Sequence, residues 1–267
     1  MRSSIKRKRK RSRSNIDLAY FYGHRGNVAN MPNEIMYQIF SYLDGTDLRR
    51  SACVCSHWHL LIQSLLINDV LFICDITKST RNYLYGLIDS INTILPLYSN
   101  CRFGFIGYGD HWKEIPVTVA HPLTYNGDKL INFMYRQDLL EGRDYPEAVA
   151  DGMYVALNMN WRPQVNKHII MLCDAPPHGY QHIFPNNIYD DYYPMGCPCG
   201  LDIKFILKSY RDRRIGLTLI LLDEKLEQLV DLFKLHHPSL TYIVANKWND
   251  FTPYLLSALH TIYDKNL

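Results

Sequence analysis

The residues best suited to chemistry stand together in Asp75-Ile76-Thr77-Lys78-Ser79, where a carboxylate and two hydroxyls occupy alternating positions. Hard oxygen donors of this kind suit Mg²⁺ better than Zn²⁺, since magnesium prefers oxygen ligands and keeps part of its water. A second set is softer: Cys197-Pro198-Cys199, with His178 and His182 upstream, offers four zinc-type ligands. Its spacing is tighter than that of structural zinc sites, and Pro198 restricts the backbone between the thiols, which favours a variant loop over a metal centre.

What positions Asp75 is the run before it. Val70 to Cys74 is apolar with no polar face, the pattern of a strand buried on both sides. Beyond the polar turn, Tyr83, Leu84, Leu87, Ile88, Ile91 and Leu95 recur at helical spacing. The turn therefore lies at the carboxyl end of a central strand, where open α/β sheets bind their ligands. Further strands are expected near 102–108, 115–121, 167–173, 215–222 and 240–244, with helices near 80–95, 127–138, 146–159, 200–213, 223–234 and 250–263. The alternation predicts an α/β, Rossmann-like, mostly parallel sheet covered on both faces. The short link between 102–108 and 115–121 allows an antiparallel pair at one edge.

Asp75-x-Thr77-x-Ser79 resembles the metal-ion-dependent adhesion site of von Willebrand factor type A domains. Arg102-Phe-Gly-Phe-Ile-Gly-Tyr-Gly-Asp110-His111, Gly142-Arg-Asp144-Tyr-Pro146-Glu147 and Cys173-Asp174-Ala-Pro-Pro-His178-Gly179 follow in the order found in the alpha-kinase-associated branch of that family. The resemblance implies a Mg²⁺ or other divalent ion held by Asp75, Thr77, Ser79, Asp144 and Asp174. Lys78 departs from the small residue usual there, and Thr80 from the usual methionine; a cationic side chain beside the ion opposes binding unless it points away. The run Tyr189 to Pro194, rich in Asp and Tyr, reads as part of a binding surface or as a packed loop.

Upstream, Met31 to Ile62 reads as two amphipathic helices. Pro32 suits a first helical turn, Ile35, Ile39 and Leu43 fall one turn apart, and Asp44-Gly45 stops the helix before Thr46 or Asp47 caps the next. Pro32-x-Glu34-Ile35, Ile39-Phe40-x-Tyr42-Leu43, Asp47-Leu48 and Val54-Cys55-x-x-Trp58 resemble an F-box, with Met31 where leucine is usual. That resemblance implies docking on the Skp1 adaptor of a cullin-RING ubiquitin ligase. The candidate contacts are Pro32, Ile35, Ile39, Leu43 and Leu48, some of which must instead close the hairpin's own core. The expected organisation is a basic tail over 1–30, an F-box over 31–66 and a von Willebrand factor type A-like domain over 67–267.

Charge is unevenly distributed. Arg2, Lys6 to Arg11 and Arg13 supply eight positive charges, so the formal net charge of +3 leaves −5 for the rest of the chain. The larger part is thus not a basic nucleic-acid surface. The tail reads as a nuclear-localisation signal, a weak polyanion contact or a solvated segment. No apolar run reaches the roughly 20 residues of a membrane helix, and no signal-peptide core follows the basic start. Seven cysteines without a regular framework suggest reduced thiols. A soluble intracellular protein of nucleus or cytoplasm is expected.

These readings converge on a substrate-recognition subunit of an SCF-type ligase, without catalysis of its own, whose type A-like domain holds a protein substrate. Two alternatives stand beside it. One is a metal-dependent binding module tethered to Skp1 for another purpose. The other is a phosphohydrolase, because an aspartate after a strand can accept a phosphoryl group. Haloacid-dehalogenase-like enzymes carry a second aspartate two residues on, where this chain has Thr77. Neither a Gly-rich phosphate loop nor a Ser-His-Asp pattern supports another enzyme class. An alpha-kinase catalytic domain is expected to be absent, because the sequence ends too soon.

Overall fold

The computed structural model describes residues 31–41, 43, 45–58, 61–62, 68–98, 100–111, 116–140, 142, 144–163, 165–180, 183, 190–245 and 250–264. The basic tail, Tyr42, Asp44, His182 and Tyr189 lie outside these residues.

Two short helices come first, α1 (Asn33–Ser41) and α2 (Gly45–Ala52). The Pro32 carbonyl accepts the first helical bonds, from the Ile35 and Met36 amides at 3.0 and 3.1 Å. Met36, Phe40, Leu48, Leu61 and Ile62 form a small core, and Trp58 meets Phe40 edge-on at 5.2 Å. Both faces of α1 are apolar, and it is the Met36–Phe40 face that turns inward. Ile35 and Ile39 are left 42% and 41% exposed.

The α/β part holds six strands: β1 (Asn68–Asp75), β2 (Arg102–Tyr108), β3 (Thr118–Thr124), β4 (Asn166–Cys173), β5 (Ile215–Leu221) and β6 (Thr241–Val244). Their order is β3-β2-β1-β4-β5-β6. All neighbours pair in parallel except β2 and β3, the antiparallel edge expected from their short link. β3 runs three residues later than the 115–121 reading. Between its pairs at Thr124 and His121 the strand carries one residue more than β2 does between Phe103 and Phe105. Pro122 falls in that bulge, on an edge strand, where its missing N–H is tolerated.

Every residue of β1 is buried. Leu71 and Ile73 point to one face, against α5 (Val149–Leu157), α6 (Ile203–Asp212) and α7 (Glu227–Lys234). Val70, Phe72 and Cys74 point to the other, against α3 (Arg81–Ile94), α4 (Gly127–Tyr135) and α8 (Thr252–Asp264). This two-sided burial explains the unbroken apolar run. Helix α5 begins later than the 146–159 reading: Glu147 instead bridges to Pro177, its amide bonded to the Pro176 carbonyl at 2.9 Å. Among the described residues no helix is long and apolar enough to cross a membrane.

At the entry end of β1, the fully buried Asp69 is gripped by two arginines. Its Oδ1 accepts from Arg102 Nε at 2.9 Å and Arg162 Nε at 2.8 Å. Its Oδ2 accepts from Arg102 Nη2 at 2.6 Å and the Arg162 amide at 2.8 Å. Burial alone would raise this carboxyl's pKa; the bonds from Arg102 and then Arg162 outweigh it and hold the pKa below its ordinary value.

Candidate functional site

The loop leaving β1 is built from its own hydroxyls. Asp75 Oδ1 accepts from the Thr77 amide and the Thr77 hydroxyl, both at 2.7 Å. The Thr77 and Ser79 hydroxyls are 2.9 Å apart, and Ser79 donates to Asp174 Oδ2 at 3.1 Å. Thr80, in place of the expected methionine, is buried and ties the turn to the Asp75 and Thr77 carbonyls at 3.0 and 2.8 Å. The β1 and β4 loops therefore meet through Ser79 and Asp174, as the sheet order requires.

Asp144 joins them from the loop before α5. With Thr77, Ser79, Asp174, Gly142, Tyr145 and Glu147 it lines a cleft of about 390 Å³ at the carboxyl ends of the strands, and Lys78 lies exposed on its wall. Asp75 lies beneath Thr77 rather than on the wall. All five residues proposed from the sequence as oxygen ligands are thus gathered at one place.

Four buried carboxylate oxygens here have no hydrogen-bond partner among the described residues: Asp75 Oδ2, Asp144 Oδ1, Glu147 Oε2 and Asp174 Oδ1. Orphaned acceptors of this kind carry their full desolvation cost. Burial, then the charges of Asp75, Asp110, Asp174 and Asp144, push the Glu147 pKa up to about 11. Asp75 and Asp174 are raised first by burial, and Asp75 further by the charge of Asp174. Asp144 is raised by burial against the pull of the Tyr192 amide. An all-oxygen, mutually repelling donor set fits a hard divalent cation, which would turn the repulsion into attraction.

Glu147 is the residue that the sequence reading passed over. A helix-starting position after Pro146 hid it, although the apolar Ala148-Val149-Ala150 that follows signalled burial. Gly142 is its counterpart: a Cβ there would stand 2.7 Å from Glu147 Oε1.

Behind the cleft, His178 is enclosed by carboxylates. Its Nε2 lies 2.8 Å from Asp110 Oδ1 and its Nδ1 2.9 Å from Asp191 Oδ1. Ionised carboxylates only accept, so with Asp110 and Asp191 both ionised the two contacts favour a ring that donates from both nitrogens. Burial would lower its pKa; the bonds to Asp110 and Asp191 overcome that and raise it. Both ring nitrogens of His178 are thus occupied by carboxylates; the sequence reading sets it beside the cysteines only as the lesser alternative to a variant loop. Asp191 also accepts from the amides of Gly179 and Tyr193 at 2.7 and 2.8 Å, and Tyr192 donates its amide to Asp144 Oδ2 at 2.6 Å. The 190–200 segment thus holds one cleft residue directly.

The backbone makes this docking possible at Gly179. Its φ is +82°, and an added Cβ would meet the Gly196 backbone at 2.8 Å. Gly179→Ala is expected to cost about 1–3 kcal/mol from the clash alone. Gly200→Ala, also at positive φ but in open space, should cost only about 1–2 kcal/mol of left-handed strain. Chemical denaturation of the two variants measures the difference, and equal losses would refute the packing argument.

The candidate Skp1 contacts separate into two groups. Pro32, Ile35 and Ile39 are exposed; Leu43 is half-buried against the hairpin core, and Leu48 is a core member only 6% exposed. Leu48 therefore closes the hairpin, because α2 turns that side chain toward Met36 and Phe40.

Comparison with known proteins adds three findings. The family model described as F-box-like matches residues 28–70. Over 145 residues, 52% of this chain, the sequence is 29% identical to alpha-protein kinase vwkA of Dictyostelium discoideum. That match covers 23% of the kinase, so the chain spans less than a quarter of the curated relative. Among solved structures, proximal thread matrix protein 1 from the mussel byssus shares the fold at a TM-score of 0.52 and 11% identity, over 78% of this chain and 51% of that one. The chain thus carries an F-box-like region and is a distant homologue of vwkA.

Proposed function

We propose that this protein is an adaptor of an SCF-type ubiquitin ligase: the F-box-like region docks on Skp1, and a von Willebrand factor type A-like domain holds the protein substrate. The domains would run over 31–66 and 67–267. The observation that carries the reading is the outward pair Ile35 and Ile39, one turn apart on α1 of the F-box-like region, while the opposite face is committed to the core. Exposed apolar side chains at this spacing are what a partner groove takes up.

At the other end, Asp75, Thr77, Ser79, Asp144 and Asp174 would hold Mg²⁺, with Glu147 beside them. The ion would supply a coordination position for a carboxylate of the bound partner. Thr77 and Ser79 orient the acceptors through their hydroxyls, and Tyr192 fixes Asp144. Catalysis is assigned to other subunits, since the position two residues after Asp75 is Thr77, not the second aspartate of a phosphoryl-transfer site.

Pull-down by purified Skp1 tests this. Ile35→Ser/Ile39→Ser should weaken capture by at least about tenfold, a loss of about 1.4 kcal/mol or more. Asp75→Ala should bind Skp1 as wild type does. Leu48→Ala should instead lower the stability of the hairpin by about 2–5 kcal/mol. Absence of Skp1 binding by the wild-type chain overturns the adaptor reading.

A further inference from the structure

Next to the carboxylate cleft, three parts of the chain bring a different set of donors together. His111 follows β2, and its amide is pinned to Asp110 Oδ1 at 2.6 Å. Asp151 stands in the first turn of α5. Cys197 and Cys199 come from the segment before α6, each beside a glycine of positive φ, Gly196 and Gly200. His111 Nε2 lies 3.0 Å from Asp151 Oδ2 and 3.4 Å from Cys197 Sγ. Cys197 Sγ lies 3.1 Å from the same Asp151 oxygen. One ligand atom from each of the four residues falls within 4.8 Å of all the others.

Bond lengths of about 2.0–2.3 Å to a tetrahedral zinc ion place its ligand atoms roughly 3.3–3.8 Å apart. The three distances among His111, Asp151 and Cys197 are close to that spacing, and Cys199 lies within 4.8 Å of each of them. Their chemistry selects the metal: two thiolates and an imidazole are soft or borderline ligands that Mg²⁺ and Ca²⁺ do not seek, and the single carboxylate of Asp151 is the fourth ligand of a closed set.

We propose that His111, Asp151, Cys197 and Cys199 bind one Zn²⁺ as a structural staple that fastens the 190–200 segment to α5 and the end of β2. The site is separate from the carboxylate cleft and takes a different ion. Its ligands also differ from the four that the sequence offers and sets behind a variant loop: His111, 86 residues from Cys197 in the chain, and Asp151 stand in place of His178 and His182. Burial, the hydrogen bond to Asp151 and the Asp151 charge push the Cys197 pKa up to about 12. Two thiolates, one carboxylate and one neutral imidazole around Zn²⁺ would give the centre a net charge of −1, the thiol protons leaving as the ion binds. The side chains of His111 and Asp151 are nearly enclosed and Cys199 is exposed, which gives the ion a route in. Because the stapled segment carries Tyr192, the same ion also steadies Asp144 in the neighbouring cleft.

The test uses the full chain purified without chelator. About one equivalent of zinc by elemental analysis is expected, lost in Cys197→Ser/Cys199→Ser and retained in Asp75→Ala. Replacement of zinc by Co²⁺ in the wild-type chain should give thiolate-to-cobalt charge-transfer bands with the intense visible absorption of a tetrahedral centre. That spectrum decides the matter even if the cysteine variant does not fold. Three results would overturn the proposal: no such bands from wild type, a zinc content unchanged by the double substitution, or a wild-type mass two hydrogens light from a Cys197–Cys199 disulfide.

Discussion

Asp69→Asn is expected to destabilise the α/β part by about 3–5 kcal/mol, the cost of removing one side of a buried ion pair. The carboxylate is fully buried and satisfies two guanidinium groups and one amide from separate segments. Neutralising it leaves Arg102 and Arg162 facing each other, both only partly exposed. The pH dependence follows from the lowered pKa. Asp69 contributes its stability above the unfolded value of 3.8, and this contribution is lost as pH falls through the folded value. Chemical denaturation along an acid series should show a steeper loss for wild type than for Asp69→Asn. A difference at neutral pH below about 1 kcal/mol would put the pair among ordinary surface bridges.

The second large effect is expected at the opposite end of the strands. Without a cation, the carboxyls of Asp75, Glu147, Asp174 and Asp144 have folded pKa values above their ordinary ones, so the native state binds more protons than the unfolded chain. Stability then declines as pH rises from about 4 toward the folded values. Mg²⁺ at about 100 times its Kd should restore about 2.7 kcal/mol, with a larger effect at neutral than at acid pH, because protons and the cation compete for the same oxygens. Asp75→Asn carries an opposite pair of signs: more stable than wild type in chelator, and unresponsive to Mg²⁺. Thermal melts with and without the ion measure both. A melting temperature indifferent to Mg²⁺ at neutral pH would remove the cation from the cleft.

The elements most legible in the sequence were those with only one physical solution. An unbroken apolar run such as Val70 to Cys74, too short for a buried helix and bounded by polar residues, suits a strand covered on both faces, with the Asp75 turn after it. Where two solutions coexist, pattern alone did not choose. Helix α1 is apolar at Ile35 and Ile39 and again at Met36 and Phe40, and only the position of Leu48, Leu61 and Ile62 decides which face closes. Glu147 was hidden because a proline before an apolar stretch suits a helix start as well as an extended bridge to Pro177. The partners of Cys197 were out of reach for a different reason. Spacing along the chain relates neighbours, whereas His111 and Asp151 reach Cys197 through the sheet and α5. The gathering of Asp75, Thr77, Ser79, Asp144 and Asp174 was expected from family resemblance, and the sheet order supplies its cause.

The two margins of the sheet also constrain how a substrate can be held. On one side β3 is interrupted by a bulge at Pro122, a residue with no amide hydrogen to offer. On the other, β6 is four residues long, and Lys234 stands over Tyr242 at 5.0 Å. Among the described residues neither margin presents a long, regular row of backbone donors and acceptors that an extended peptide could join as a seventh strand. Recognition through the backbone, which tolerates many sequences, is therefore disfavoured. On the proposed reading, selectivity would fall to side chains meeting the loops at the strand ends, where one acidic residue on the partner would decide whether it is held.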